Sequence, residues 1–176
     1  MTMTTRPTPD EAAPYYFTYI DQVADGDICD VLAAQRDDAL TTLRAITDGQ
    51  SLHRYAPGKW SLRDLVCHLS DTERLFQYRA FWFARGFDAP LPSFDEGVAV
   101  AAARADDRAW PGLVEEFDTL RAATLPFFRS LRPDDWNLRG VASGNPFTVR
   151  ALAYITAGHV AHHLRIVRER YLPTLR

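Results

Sequence analysis

The stretch FTVRALAYITAGHVAHHLRIVRERYL, Phe147 to Leu172, decides how the rest of the chain is read. It is the last long apolar run, and its apolar residues recur at helical spacing. Residues three and four apart stack on one face of a helix, so Leu152, Ile155, Thr156, His159, His163 and Ile166 share a side. Three of the chain's 5 histidines fall here, His159, His162 and His163. Two imidazoles on an inward stripe can grip one divalent metal, each offering a neutral ring nitrogen while a neighbour orients the other. The same spacing also occurs in satisfied core or surface histidines, so the pair by itself leaves both readings open.

Working outward, three further long helices and one short one are expected. Asp27 is placed to cap one running from about Ile28 to Thr47, with Val31, Leu32, Leu40, Leu43 and Ile46 on its stripe and Asp48-Gly49 ending it. Ser61 caps the next, with Asp64 three residues later. Leu62, Leu65, Val66, Leu69, Phe76, Ala80 and Phe83 form its buried side, and Gly86 stops it. The alanine-rich residues 97–105 read as a short helix, and Pro90 and Pro92 preclude a long one. A further long helix starts at Trp110-Pro111 and runs to about Leu131, with a kink or early break expected at Pro126. Residues 132–146 read as a loop with room for a small hairpin, and the final helix as Phe147 to Tyr171, stopped by Pro173. Residues 1–14 read as a flexible tail and 15–176 as one domain. Four long amphipathic helices with polar connections and few strand signals predict an all-α four-helix bundle.

Composition narrows the function. The 176 residues suffice for one domain with a substantial core, and 47% hydrophobic with 24% charged residues is ordinary for a globular protein. A net charge of −3, with Lys59 the only lysine and no basic run, argues against nucleic acid as a partner. Two cysteines, Cys29 and Cys67, make no disulfide framework and suit a reducing interior. The first fourteen residues lack the apolar core of a signal peptide, and no run is long enough to span a membrane, so the expected location is cytoplasmic.

Metal sites in bundles are built from facing helices, and the second long helix offers His68. It lies at the edge of that helix's apolar face, near Asp64, Leu65, Asp71, Thr72 and Leu75. Asp64 and Asp71, one turn to either side, are candidates to orient an imidazole or take a proton, or else a cap and a solvated charge. Cys67 points about 100° away and reads as core. Trp60 and Trp136 read as closing the bundle ends. Tyr55, Tyr78 and Tyr154 are unranked donors, and Arg79, Arg85, Arg139 and Arg165 are candidates for an anionic substrate or simply a solvated face.

The run Lys59-Trp60-Ser61-Leu62-Arg63-Asp64-Leu65-Val66-Cys67-His68-Leu69-Ser70-Asp71-Thr72-Glu73 resembles the second-helix signature of the DinB-like (DinB/YfiT-like) superfamily. Thr148-Val149-Arg150 through Gly158-His159-Val160-Ala161-His162-His163-Leu164 resembles its final-helix signature, and Tyr15 to Leu32 resembles its opening segment. The resemblance implies an up-up-down-down bundle and one metal held by His68, His159 and His163. His162 is the competing ligand, because a three-residue spacing also brings side chains together.

Three imidazoles without thiolate suit Zn²⁺ or Ni²⁺, with Mn²⁺ or Fe²⁺ as alternatives, and leave coordination positions open. The resemblance implies a metal-dependent enzyme acting on a small-molecule substrate, either an S-transferase or isomerase that uses a low-molecular-weight thiol or a hydrolase that uses water. It also implies a homodimer. The competing expectations are a non-catalytic metal- or ligand-binding bundle and a stress-linked interaction domain with structural histidines.

Overall fold

The computed structural model describes residues 5–175. Four long helices carry the architecture: α2 (Ile28–Arg44), α3 (Leu62–Ala84), α5 (Trp110–Arg129) and α6 (Val149–Ile166). Short helices α1 (Phe17–Ile20) and α4 (Glu96–Ala103) flank them, and strands β1 (Arg139–Ala142) and β2 (Asn145–Thr148) form a hairpin before α6.

Local chemistry sets the helix starts. The Asp27 carboxylate accepts from the Cys29 amide. Ser61 and Asp64 make a reciprocal capping box at α3, and the Thr148 hydroxyl accepts from the Ala151 amide. Each such contact satisfies an amide that the helix itself leaves unpaired. Pro111 sits in the first turn of α5, where no amide is needed.

The core falls into two clusters, one at each end of the bundle, and they reveal the helix directions. One joins Ile28 and Leu32 to Phe76, Phe83, Leu125, Phe128 and the first half of α6. The other joins Leu40 and Leu43 to Leu62, Leu65, Trp110, Leu113 and the end of α6. So α2 and α6 run one way while α3 and α5 run the other: the order is up-down-down-up, not the expected up-up-down-down. The connections explain the difference. Residues 45–61 turn α3 back at the end where α2 stops, and residues 130–148 do the same between α5 and α6. Only 85–109, carrying α4, crosses the bundle's length, whereas an up-up-down-down order needs two long crossovers.

One polar network pins all four helices at mid-bundle. Arg121 of α5, fully buried, donates through Nε and Nη2 to the two carboxylate oxygens of Glu73 on α3, at 2.8 and 2.9 Å. Its Nη1 donates to the Leu32 carbonyl and to Gln35 Oε1 on α2, and Gln35 Nε2 donates to the Ala157 carbonyl on α6.

Three local expectations change. Phe147 and Thr148 belong to β2, paired with Gly140 and Arg139, so the last helix begins at Val149; its final turns are a π-helical turn, Val167–Tyr171, and a short 3-10 turn. The β1–β2 turn has positive φ at both Ser143 and Gly144, the hairpin geometry that matches strand twist. Pro126 does not end α5, which continues to Arg129. The expected tail is held down from residue 5 onward: Arg6 donates to the Ile20 and Val23 carbonyls, and buried Glu11 pairs with Arg150 and accepts from Thr148. Residues 1–4 of that tail lie outside the described residues.

Two glycines permit close approaches. A side chain at Gly158 would lie 2.1 Å from the Tyr19 carbonyl oxygen, and one at Gly140 would lie 2.0 Å from the Phe83 ring. Gly158 thus lets α1 lie directly on α6, beside His159.

Candidate metal centre

His68 sits in the second turn of α3, downstream of the capping box, and His159 and His163 are one turn apart on α6. Antiparallel packing of α3 on α6 brings the three together, as it brings Trp60 to Tyr171 further along. The Nε2 atoms of His68 and His163 lie 3.0 and 3.2 Å from that of His159. Three ring nitrogens, one from each, fall within 4.8 Å of one another, and these are the residues that could hold a metal among those described.

The spacing fits a cation. Nitrogens ~2.1 Å from a common metal stand about 3.0 Å apart at octahedral angles and about 3.4 Å apart at tetrahedral ones. The orientation fits too. The Thr72 hydroxyl donates to the His68 carbonyl at 2.8 Å, leaving its oxygen to accept from His159 Nδ1 at 3.3 Å. That contact puts the His159 proton on Nδ1 and turns the Nε2 lone pair toward the other two rings. His68 Nδ1 and His163 Nδ1 are buried without such a partner.

Burial holds all three rings neutral. It depresses His68 to about 4, and it depresses His163 to about 3 with help from the neighbouring His68 and His162. His159, the most enclosed, is pushed well below 6.5 by desolvation and then by His163 and His68. Neutral imidazole is the metal-binding form, so the site needs no deprotonation at pH 7.

The surroundings come from elements that sequence spacing does not connect. Trp60, expected at a bundle end, lies 4.9 Å from the His68 ring. Tyr19 of α1 lies edge-on to His159 and His162, at 5.3 and 5.5 Å. A cavity of about 200 Å³ opens beside His68 and His159 and is also lined by Tyr19, Phe76, Arg79 and Glu96. Glu96, from the first turn of α4, has a carboxylate oxygen 4.0 Å from His68 Nε2. Nothing in its local sequence marked it; only the crossover places it here.

Other candidates lie elsewhere. Asp64 serves the capping box and pairs with Arg54 at 2.9 Å. Asp71 pairs with Arg74 at 3.3 Å. Neither lines the cavity. His162 is half-buried beside the trio, and Cys67 is buried in the core cluster at the far end from the hairpin. Tyr55 packs on Tyr171, and Tyr78 on Trp82.

Comparison with known proteins places the chain in a family. The model of the DinB superfamily matches residues 32–167. The chain belongs to the DinB superfamily. Among solved structures, this DinB-superfamily chain is similar to YfiT from Bacillus subtilis, described as a probable metal-dependent hydrolase with an unusual four-helix bundle topology. The TM-score is 0.70 at 16% identity, over 94% of this chain and 90% of that one. It is also similar to a mycothiol-dependent maleylpyruvate isomerase, with a TM-score of 0.64 at 13% identity over 82% of this chain and 59% of that one. At these identities the likeness is one of fold. No curated protein matches the sequence.

Proposed function

We propose that this chain is a metal-dependent enzyme in which His68, His159 and His163 hold one divalent cation, Zn²⁺ or Ni²⁺ in the first instance. The observation that carries the reading is the convergence of three buried or half-buried histidines, with the Nε2 atoms of His68 and His163 at 3.0 and 3.2 Å from that of His159 and one ring nitrogen of each within 4.8 Å of the others, beside a cavity large enough for a small substrate. A cation held there would supply Lewis acidity, lowering the pKa of a water or thiol that reaches it.

The residues of the chain provide the rest. Thr72 orients His159. Phe76 and Tyr19 pack against the ring of His159, and Trp60 against that of His68, so the rings are held between aromatic walls. Glu96 is the carboxylate within reach of the site and accepts the proton that the nucleophile loses. We assign the nucleophile first to a low-molecular-weight thiol, transferred to an electrophilic small molecule, in line with the thiol-dependent isomerase of the same fold. Water is the second reading, in line with YfiT, and the specific observation in its favour is Glu96, since a poorly acidic water needs a base more than a thiol does.

The test is elemental analysis of the purified protein, followed by turnover screens of metal-loaded protein with thiol–electrophile pairs and with ester and amide substrates. Metal bound in a one-to-one ratio and lost in His163→Ala, together with thiol-dependent turnover, is the expected result. A protein that takes up no divalent ion after reloading, or one that binds metal and turns over neither substrate class, overturns the proposal.

A further inference from the structure

The cavity beside the histidines holds a cation with no counter-ion. Arg79 is 2% exposed, yet no carboxylate among the described residues pairs with it. Its Nη2 donates to the Pro92 carbonyl at 3.0 Å and to Ser143 Oγ at 2.9 Å, and Tyr16 supplies a further side-chain contact. All three partners are neutral, and Nε is buried with no partner. The other buried arginines differ: Arg63 pairs with Asp48 at 2.9 Å, and Arg121 is gripped by both oxygens of Glu73. Buried charges are ordinarily paired, because an isolated one loses its hydration without return.

Position gives the unpaired guanidinium its meaning. His68, Thr72, Leu75 and Arg79 recur at steps of four, three and four along α3, so they share one stripe. All four line the same cavity. Arg79 is three turns from His68, about 16 Å along the axis, and its long side chain leans back toward the helix start. The metal site and the guanidinium therefore face one small space whose walls include Phe76, Phe94 and Tyr19.

We propose that Arg79 is the substrate-anchoring residue of this cavity, and that its ligand is a small organic acid whose carboxylate supplies the missing counter-ion. A guanidinium presents two parallel N–H donors that match a carboxylate. A monoanion is favoured over phosphate because Arg79 is the one cationic side chain lining the cavity, while Glu96 adds a negative charge of its own. The acid group at Arg79 directs the remainder of the molecule along the apolar wall toward the histidines. This inference rests on the enzyme reading above for what happens at that end, but not for binding itself.

The experiment is calorimetric titration of the full-length protein, metal-free and metal-loaded, with succinate, benzoate, phenylacetate, phenylacetamide and inorganic phosphate. Metal content is measured on the same samples. Wild-type protein is expected to bind at least one of the acids and to bind phenylacetamide more weakly than phenylacetate. Arg79→Met is expected to lose affinity on the order of tenfold to a hundredfold, the loss typical of a charge-assisted contact, while keeping its metal. Arg79→Lys is expected to fall between. Equal binding of acid and amide, no binding of any acid, tighter binding of phosphate, or wild-type affinity in Arg79→Lys and Arg79→Met overturns the proposal. The acid–amide comparison on wild-type protein decides it even if a variant does not fold. Acid binding without metal uptake would sink the enzyme reading alone, and metal uptake without acid binding would sink this one alone.

Discussion

Replacing Arg121 with methionine removes the cation at the centre of the bundle and leaves Glu73, 2% exposed, without its partner. Breaking a buried ion pair from one side destabilises by about 3–5 kcal/mol, because the surviving charge stays dehydrated and uncompensated. The Leu32 carbonyl and Gln35 Oε1 also lose a donor. In a chain of this length each kcal/mol corresponds to a midpoint shift of about 2–4 °C, so Arg121→Met is expected to melt roughly 6–20 °C lower. The double variant Arg121→Met/Glu73→Leu removes both charges and replaces them with apolar volume. It is expected to recover most of the loss, staying about 1–3 kcal/mol below wild type for the acceptors left unsatisfied on α2. Urea unfolding of metal-free protein, followed by far-ultraviolet circular dichroism, measures both. A double variant as unstable as Arg121→Met, or a single variant within about 1 kcal/mol of wild type, would show that the dehydrated carboxylate is not the source of the effect.

Acid stability offers a second check. Burial holds His68 at about 4 against 6.5 in the unfolded chain, so between those pH values the unfolded state binds a proton that the folded state refuses. Stability of the metal-free protein is therefore complete above about pH 6.5 and falls with acidification by ~1.4 kcal/mol per pH unit for this residue, about 3 kcal/mol in all. His159 and His163 add in the same direction. Urea melts from pH 7.5 to pH 5 in chelator should show this slope, and His68→Gln should flatten it; a level wild-type profile contradicts the burial argument. Third, Thr72→Val removes the acceptor that orients His159 while keeping the side-chain shape. Metal affinity measured by chelator competition is expected to fall about 10- to 100-fold, with the melting temperature of metal-free protein little changed. Undiminished affinity would mean that the hydroxyl does not set the tautomer.

What the sequence determined by itself is short-range. The apolar periodicities mark the four long helices, and Asp27 and Ser61 mark where two of them begin, because a cap acts within one turn. The pairing of His159 with His163 is legible for the same reason, since one turn of helix imposes it. His68 stood out as a candidate on a facing helix, but only the family resemblance joined it to the pair: no local rule connects residues 91 positions apart. Only tertiary structure decided the helix directions, because an amphipathic stripe buries equally well whichever way its helix points. It also decided the company of the site. Tyr19, Trp60 and Glu96 reach the histidines from three separate segments, and Asp64 and Asp71, the acidic neighbours in sequence, are engaged with Arg54 and Arg74 instead. The unpaired charge of Arg79 belongs to the same class. Arg79, Arg85, Arg139 and Arg165 look alike along the chain, and only the packing around α3 buries Arg79 and withholds an anion from it. Periodicity propagates over a few residues of backbone, whereas which charges end up buried and unpaired depends on what distant segments bring to the same space.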